Sequence, residues 1–184
     1  MSILNIVHYG DPLLRKKCPP ANDFTILDDL LEDMFDTMYE EEGIGLAANQ
    51  VGVDINVFII DISHTDETDE PNIFINPEII MKTGDKTVYA EGCLSLPGVT
   101  LDVLRPKNII LRYQTRDEVW HENEFSGLLS RAIQHEMDHL NGIFIIDRVS
   151  ELDKMKYKKD LLSIKTNAEK ISTRRKTNTK NFIL

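Results

Sequence analysis

The sequence predicts an α+β fold: antiparallel β-sheets packed around a central helix at about 127–141, with an N-terminal amphipathic helix at about 24–42 and a C-terminal helix. Three observations predict it. Apolar residues recur at helical spacing in two separate stretches, short β-rich runs lie between those stretches, and no internal repeat divides the chain.

The first helix reads FTILDDLLEDMFDTMYEEE, where Phe24, Leu27, Leu30, Leu31, Met34, Phe35 and Met38 form one apolar stripe and most acids lie off it. Asn22 or Asp23 can cap its start and Gly43 can end it. After Gln50 the texture changes to runs expected as strands: NVFIID at 56–61, IFINPEII at 73–80, NIILRYQ at 108–114 and VWHENEF at about 119–125. HTDETDEPN at 64–72 reads as an exposed loop. Pro106 interrupts the alternation that begins at Leu101, so that region should bend or lie on a sheet edge. The second helix runs over 127–140, burying Leu128, Leu129, Ala132, Ile133, Met137 and Leu140, with Gly142 as its stop. IFIIDRV at 143–149 reads as a strand or turn, 151–166 as a last helix, and 167–184 as frayed.

At 184 residues and 21.1 kDa the chain can bury one good core, which makes 1–150 one domain and 151–184 a basic helix with a flexible tail. A hydrophobic content of 41% with 28% charge argues against global disorder and against a membrane class. The N-terminus lacks the charge order of a secretory signal, and a cytoplasmic location is expected. With only Cys18 and Cys93, no disulfide framework is expected. The net charge of −10 is uneven: from Glu151 onward ten Lys/Arg face four acids, leaving +6 on the tail and −16 on the body. Such a body repels DNA, while the tail can approach nucleic acid.

In QHEMDH at 134–139, His135 and His139 lie one helical turn apart, so both imidazoles can reach one ion. Glu136 is turned about 100° from His135 around the helix, which suits a base beside the metal better than a ligand. A catalytic site of this kind wants three protein ligands and one open position. The histidine that would complete H-E-x-x-H-x-x-G-x-x-H is replaced by Ile145, and only Glu151 and Glu169 remain as downstream glutamates, so the third ligand should come from upstream. Cys93, in EGCLSLPG at 91–98, is the candidate, because the glycines and proline around it suggest an exposed turn. Cys18 is assigned to packing, and His8, His64 and His121 to the surface. GIGLAANQ at 43–50 lets backbone approach a ligand closely and ends in a neutral amide donor; on its own it reads more readily as tight packing between helix and strand. HExxH alone leaves a zinc endopeptidase open, as well as a non-catalytic protein folded on its metal.

Taken in order, GIGLAANQ, EGCLS and QHEMDH resemble the three signature motifs of the peptide deformylase family, and GDPLLR at 10–15 resembles its opening. The likeness covers about residues 5–149. It implies a deformylase-like catalytic domain that removes the N-formyl group from formyl-methionine of nascent bacterial polypeptides in the cytoplasm, releasing formate. It implies that Cys93, His135 and His139 bind the metal, with water in the fourth position. It further implies that Glu136 is the general base and acid, and that the Gln50 amide and Leu94 backbone N–H stabilise the oxyanion. Ile44, Gly45, Tyr89, Gly92, Leu128, Arg131 and Ala132 are the expected substrate contacts, with peptide backbone pairing around 43–45 and 89–92. For Arg131 a solvent-facing position is the equal alternative.

The resemblance implies Fe2+ in the cell, with Zn2+, Ni2+ or Co2+ as substitutes, and the basic tail suggests ribosome contact, with a solvated helix end and disordered extension as at least an equal alternative. The sequence departs from the family at two places. Thr100 replaces an arginine that many members carry, and TRDEVWHE at 115–122 lacks the usual Asp-Gly turn, so an altered turn is expected there. Glu91 is expected to pair with Arg105 or another arginine and hold the cysteine loop.

Overall fold

The computed structural model describes residues 2–25, 27–64 and 70–180, the last seven of these by backbone alone. In chain order the elements are α1 (Leu27–Glu40), β1 (Gly45–Ala47), β2 (Val57–Ile60), β3 (Asn72–Glu91), β4 (Leu101–Gln114), β5 (Trp120–Phe125), α2 (Gly127–Leu140), α3 (Glu151–Lys156) and α4 (Lys158–Lys180). Short 3-10 turns occupy Pro12–Arg15, Ala48–Val51 and Ile145–Asp147. The strands pair antiparallel in one five-stranded sheet of order β1-β2-β3-β4-β5, so the expected α+β architecture is present with its strands joined in a single sheet. Most of the loop expected at 64–72 lies outside the described residues. No described helix is long and apolar enough to cross a membrane.

β2 is buried at all four residues because both of its faces are covered. Phe58 and Ile60 belong to the cluster under α2, with Phe74, Ile109, Leu111, Ala132, Ile133 and Leu140. Val57 and Ile59 belong to the cluster under α1, with Leu27, Leu31, Met34 and Met38. Burying each such side chain contributes about 1.5–3 kcal/mol, which is why two amphipathic helices and a wholly apolar strand specify this stack.

Both ends of α1 differ in detail from the expectation. The helix begins at Leu27 rather than 24, and the Asp23 carboxylate accepts from the Thr25 N–H at 3.0 Å, which makes a turn ahead of the helix instead of a cap on it. At the other end Gly43 is not the left-handed residue; Glu42 is, at φ 54°. The Glu42 N–H donates to Tyr39 O at 3.1 Å and the Gly43 N–H to Met38 O at 2.8 Å, the paired closure of a Schellman motif. Gly43 answers a demand for space instead, since a Cβ there would meet Leu94 Cδ1 at 3.0 Å.

Both β3 and β4 extend beyond the runs expected at 73–80 and 108–114. Register shifts between Ile75 and Glu78, Ile79 and Met81, and Thr83 and Lys86 break the two-residue alternation that would reveal the polar half of β3. Pro106 lies opposite Lys86, where β4 has only β3 as neighbour because β5 pairs from Ile109 onward. It therefore sits at a sheet edge, as expected. The turn between β4 and β5 takes up its missing glycine at Glu118, which is left-handed at φ 65°.

The segment 143–149 is a turn, and Ile145 is buried in a third cluster with Val7, Leu14, Leu101, Val103, Phe144 and Leu161. The single helix expected at 151–166 is broken at Tyr157, and the residues expected to fray continue as α4 to Lys180; residues 181–184 lie outside the described residues. Leu161, Ala168 and Ser172 recur on one face of α4 and are buried, which binds that helix to the body. Gly10 sits against it: a Cβ there would come within 2.7 Å of Lys165 O.

Candidate metal centre and substrate cavity

Three segments distant in sequence meet beside α2. The helix presents His135 and His139, the loop after β3 presents Cys93, and the turn after β1 presents Gln50. The ligand atoms of Cys93, His135 and His139 all lie within 4.8 Å of one another, the one such group among the described residues. Cys93 Sγ is 3.2 Å from His139 Nε2, which is 3.2 Å from His135 Nε2. Ligand atoms around a tetrahedral ion stand ~3.3–3.6 Å apart for bond lengths of ~2.0–2.3 Å, so these residues fit one metal ion with little movement. Ile145, buried in the core, takes no part.

The supports of this cluster are charged and buried. Glu91 Oε2 lies 3.1 Å from His135 Nδ1, which keeps a proton on Nδ1 and leaves Nε2 for a metal. Arg105 donates to the two Glu91 oxygens at 2.7 and 2.8 Å, and Arg131 donates to Oε1 at 2.7 Å. Burial alone would raise the Glu91 pKa, but the hydrogen bonds from Arg105 and His135 overcome it and hold the carboxyl down at about 2. Arg105 also donates to Asp138 at 2.8 Å, and Arg148 donates to the same carboxylate. Glu91 thus pairs with Arg105, as expected, and with Arg131 as well.

Glu136 leaves the same helix toward β1. Burial pushes its pKa up to about 7, with His135 and Arg105 opposing the rise. An added Cβ at Gly45 would lie 2.6 Å from Glu136 Oε1, so the second glycine of GIG is the space in which that carboxylate rests. The Gln50 amide is turned by its neighbours: Oε1 accepts from the Ala47 N–H at 2.8 Å, while Nε2 donates to Ser95 Oγ at 3.2 Å and faces Cys93 Sγ at 3.9 Å. Among the described residues the Leu94 N–H donates no hydrogen bond within the chain.

A cavity of about 480 Å³ opens over the cluster. It is lined by every expected site residue except His139: Ile44, Gly45, Gln50, Tyr89, Gly92, Cys93, Leu94, Leu128, Arg131, Ala132, His135 and Glu136. His139 lies behind them and is buried. A larger groove of about 1010 Å³ runs between the N-terminal segment and the first half of β3, but it holds none of these residues; the smaller cavity is where the chemistry converges. Arg131 is not solvent-facing. Its guanidinium is committed to Glu91, Val103 O and Thr87, and stands 5.5 Å from the Tyr89 ring centroid. A Cβ at Gly92 would meet nothing within 4 Å, so that glycine keeps the cavity open rather than relieving a clash.

Other cavity residues give no signal in the sequence. His8, expected at the surface, lines the mouth with Glu41 and Glu42, because the Tyr9 N–H donates to Ser95 O and draws the N-terminal segment alongside. Burial lowers the His8 pKa, with Glu41 opposing. Thr100 is exposed at the same cavity. Cys18 packs in the core as expected, its thiol pushed up to about 12 by burial and by Asp54.

The family profile described as polypeptide deformylase matches residues 3–155. The chain is 45% identical over 162 residues to a peptide deformylase of Chromobacterium violaceum, covering 88% of this chain and 95% of that one. The crystal structure of a Plasmodium falciparum peptide deformylase superposes with a TM-score of 0.83 at 36% identity, over 89% of this chain and 96% of that one. That of the Thermotoga maritima enzyme gives a TM-score of 0.76 at 40% identity, over 82% and 99%. With the fold matched over most of its length and the three motifs meeting around one Cys-His-His cluster, the chain belongs to the peptide deformylase family.

Proposed function

We propose that the chain hydrolyses the N-formyl group of N-formylmethionyl polypeptides, releasing formate and a free amino terminus, with Glu136 moving the proton and Gln50 and Leu94 stabilising the oxyanion. The observation that carries this reading is the gathering of Cys93, His135 and His139 under a cavity that also holds buried Glu136 and the oriented Gln50 amide. Cys93, His135 and His139 would hold a divalent ion, which would supply the Lewis acidity that makes water a nucleophile at neutral pH. Glu136 takes a proton from the water as its oxygen attacks the formyl carbon. The Gln50 Nε2–H and the Leu94 N–H stabilise the negative charge that develops on the formyl oxygen. As the C–N bond breaks, Glu136 returns the proton to the leaving amine, so its carboxylate is restored at the end of the cycle.

The substrate's methionine side chain occupies the pocket walled by Ile44, Tyr89, Leu128, Arg131 and Ala132. Gly45 and Gly92 admit its backbone, which pairs with the open edge of β1 and the free end of β3. Fe2+ is the ion in the cell, with Zn2+, Ni2+ or Co2+ as substitutes; thiolate and imidazole accept all four, and availability selects among them. A cytoplasmic site of action at the ribosome fits a substrate that emerges there. The exposed lysines of α4 supply the attraction to RNA phosphate.

Formate release from a formyl-Met tripeptide by anaerobically Fe2+-loaded protein tests the reaction, the ion and the substrate together; cleavage of unformylated internal peptide bonds instead would refute it. For the ribosome, Lys158, Lys159 and Lys170 changed to Gln should weaken co-sedimentation, and unchanged co-sedimentation rules the contact out. Those substitutions are preferred to truncation, which would strip Leu161 from the core.

A further inference from the structure

We infer, resting on the reading of Gln50 as an oxyanion stabiliser, that Ser95 is a positioning residue that sets the orientation of the Gln50 amide, with the N-terminal segment at residues 7–9 holding it in place. Ser95 is fully buried and does not line the cavity, so it acts through Gln50 and not on the substrate.

Counting protons fixes the amide. The Ser95 hydroxyl donates its single proton to Val7 O at 2.7 Å. Toward Gln50, 3.2 Å away, it can then only accept, which favours the amide nitrogen there and disfavours the carbonyl oxygen. At the other end of the amide the Ala47 N–H, at 2.8 Å, requires an oxygen. Both neighbours therefore select the same one of the two flipped states. One Nε2–H is used on Ser95, and the second remains on the side of Cys93, where the reacting carbonyl comes to rest. A flipped amide would turn Oε1 toward the developing negative charge and repel it.

Val7 is fixed in turn. Its N–H donates to Gln50 O at 2.7 Å, and the Tyr9 N–H donates to Ser95 O at 2.9 Å. Residues 7 and 9 thus tie the backbone of the GIGLAANQ segment to that of EGCLS. They set the spacing between the Gln50 side chain and the Leu94 N–H, the two groups that must face one oxygen.

The test is steady-state formate release by the Fe2+-loaded holoenzyme, under anaerobic conditions, for wild type, Ser95→Ala, Gln50→Ala and the double variant. Ser95→Ala should lower kcat about 10- to 100-fold with KM within about two-fold and metal content unchanged, because a misaligned donor weakens the transition state rather than substrate binding. Ser95→Thr, which keeps the hydroxyl, should recover most of that loss. In the Gln50→Ala background, Ser95→Ala should cost less than about two-fold more. An equal loss in both backgrounds, or a change confined to KM, overturns the inference. If Gln50→Ala alone leaves kcat unchanged, the oxyanion reading itself fails, which separates the two. Should Ser95→Ala not fold, Ser95→Cys carries the same comparison, since its sulfur is a weak acceptor in a similar volume.

Discussion

Replacing Glu91 with alanine takes one carboxylate from three partners: Arg105 and Arg131, which donate at 2.7–2.8 Å, and His135, at 3.1 Å. The Glu91 side chain is 6% exposed and that of Arg105 4%, so solvent cannot replace it. Breaking a buried pair by removing one partner costs about 3–5 kcal/mol, much of it from the charge left behind. In this site the cost falls toward about 3 kcal/mol, because Arg105 keeps Asp138 and Arg131 keeps the carbonyls of Thr87 and Val103. For a chain of this length that is a fall in Tm of about 6–12 °C. Without its carboxylate, His135 should also hold its ion about 10- to 100-fold more weakly. Calorimetry of the metal-loaded protein and chelator competition read the two effects separately. Unchanged Tm together with unchanged metal retention would refute the assignment of Glu91 as the support of both the cysteine loop and His135.

Gly45→Ala places a methyl 2.6 Å from Glu136 Oε1 and should displace that carboxylate, lowering kcat for formate release while the far-ultraviolet spectrum stays native. A loss of about 100-fold is expected, and wild-type turnover would show that the space is not needed. Glu118→Gly relieves a left-handed residue at φ 65°. It should stabilise by about 0.5–1 kcal/mol, seen as a higher denaturant midpoint with unchanged slope, and a lower midpoint would contradict it. Tyr39 donates to Asp61 at 2.5 Å, and burial together with that carboxylate raises its pKa to about 12. Folded Tyr39 keeps its proton through a range in which the unfolded side chain releases it, so stability should decline as pH rises from ~10 to ~12. Tyr39→Phe should lessen that decline in urea titrations across the range, leaving the part contributed by the raised Cys18 thiol, and an undiminished decline would assign it to other groups.

The two long amphipathic stripes are readable because helical spacing is a local signal, and α2 covers the residues its apolar positions predict. The candidate site is readable for a different reason: a cysteine, two histidines and a glutamate stand in motifs that make chemical sense only when shared. What escapes reading depends on contacts across the chain. The second half of β3 is hidden by register shifts that only its pairing with β4 defines. His8 reaches the cavity through a backbone bond from its neighbour Tyr9 to Ser95, and no local pattern of charge or hydropathy announces such a bond. The persistence of α4 likewise rests on burial of Leu161, Ala168 and Ser172 against the body, which its largely polar composition does not reveal.

Compared with α1, which buries five of its fourteen residues, α2 buries nine of the same number. Its face toward the sheet carries Ile133 and Leu140, its face toward the metal carries His135 and His139, and Glu136, Arg131 and Asp138 leave it in further directions to fixed partners or the cavity. No side of the helix is free to drift. A library of random substitutions would therefore find α1 permissive along its acidic face and α2 intolerant around nearly its whole circumference. Resistance to an inhibitor that fills the cavity would arise more readily off this helix, for example on the loops at 41–44 and 97–100 that also line the cavity.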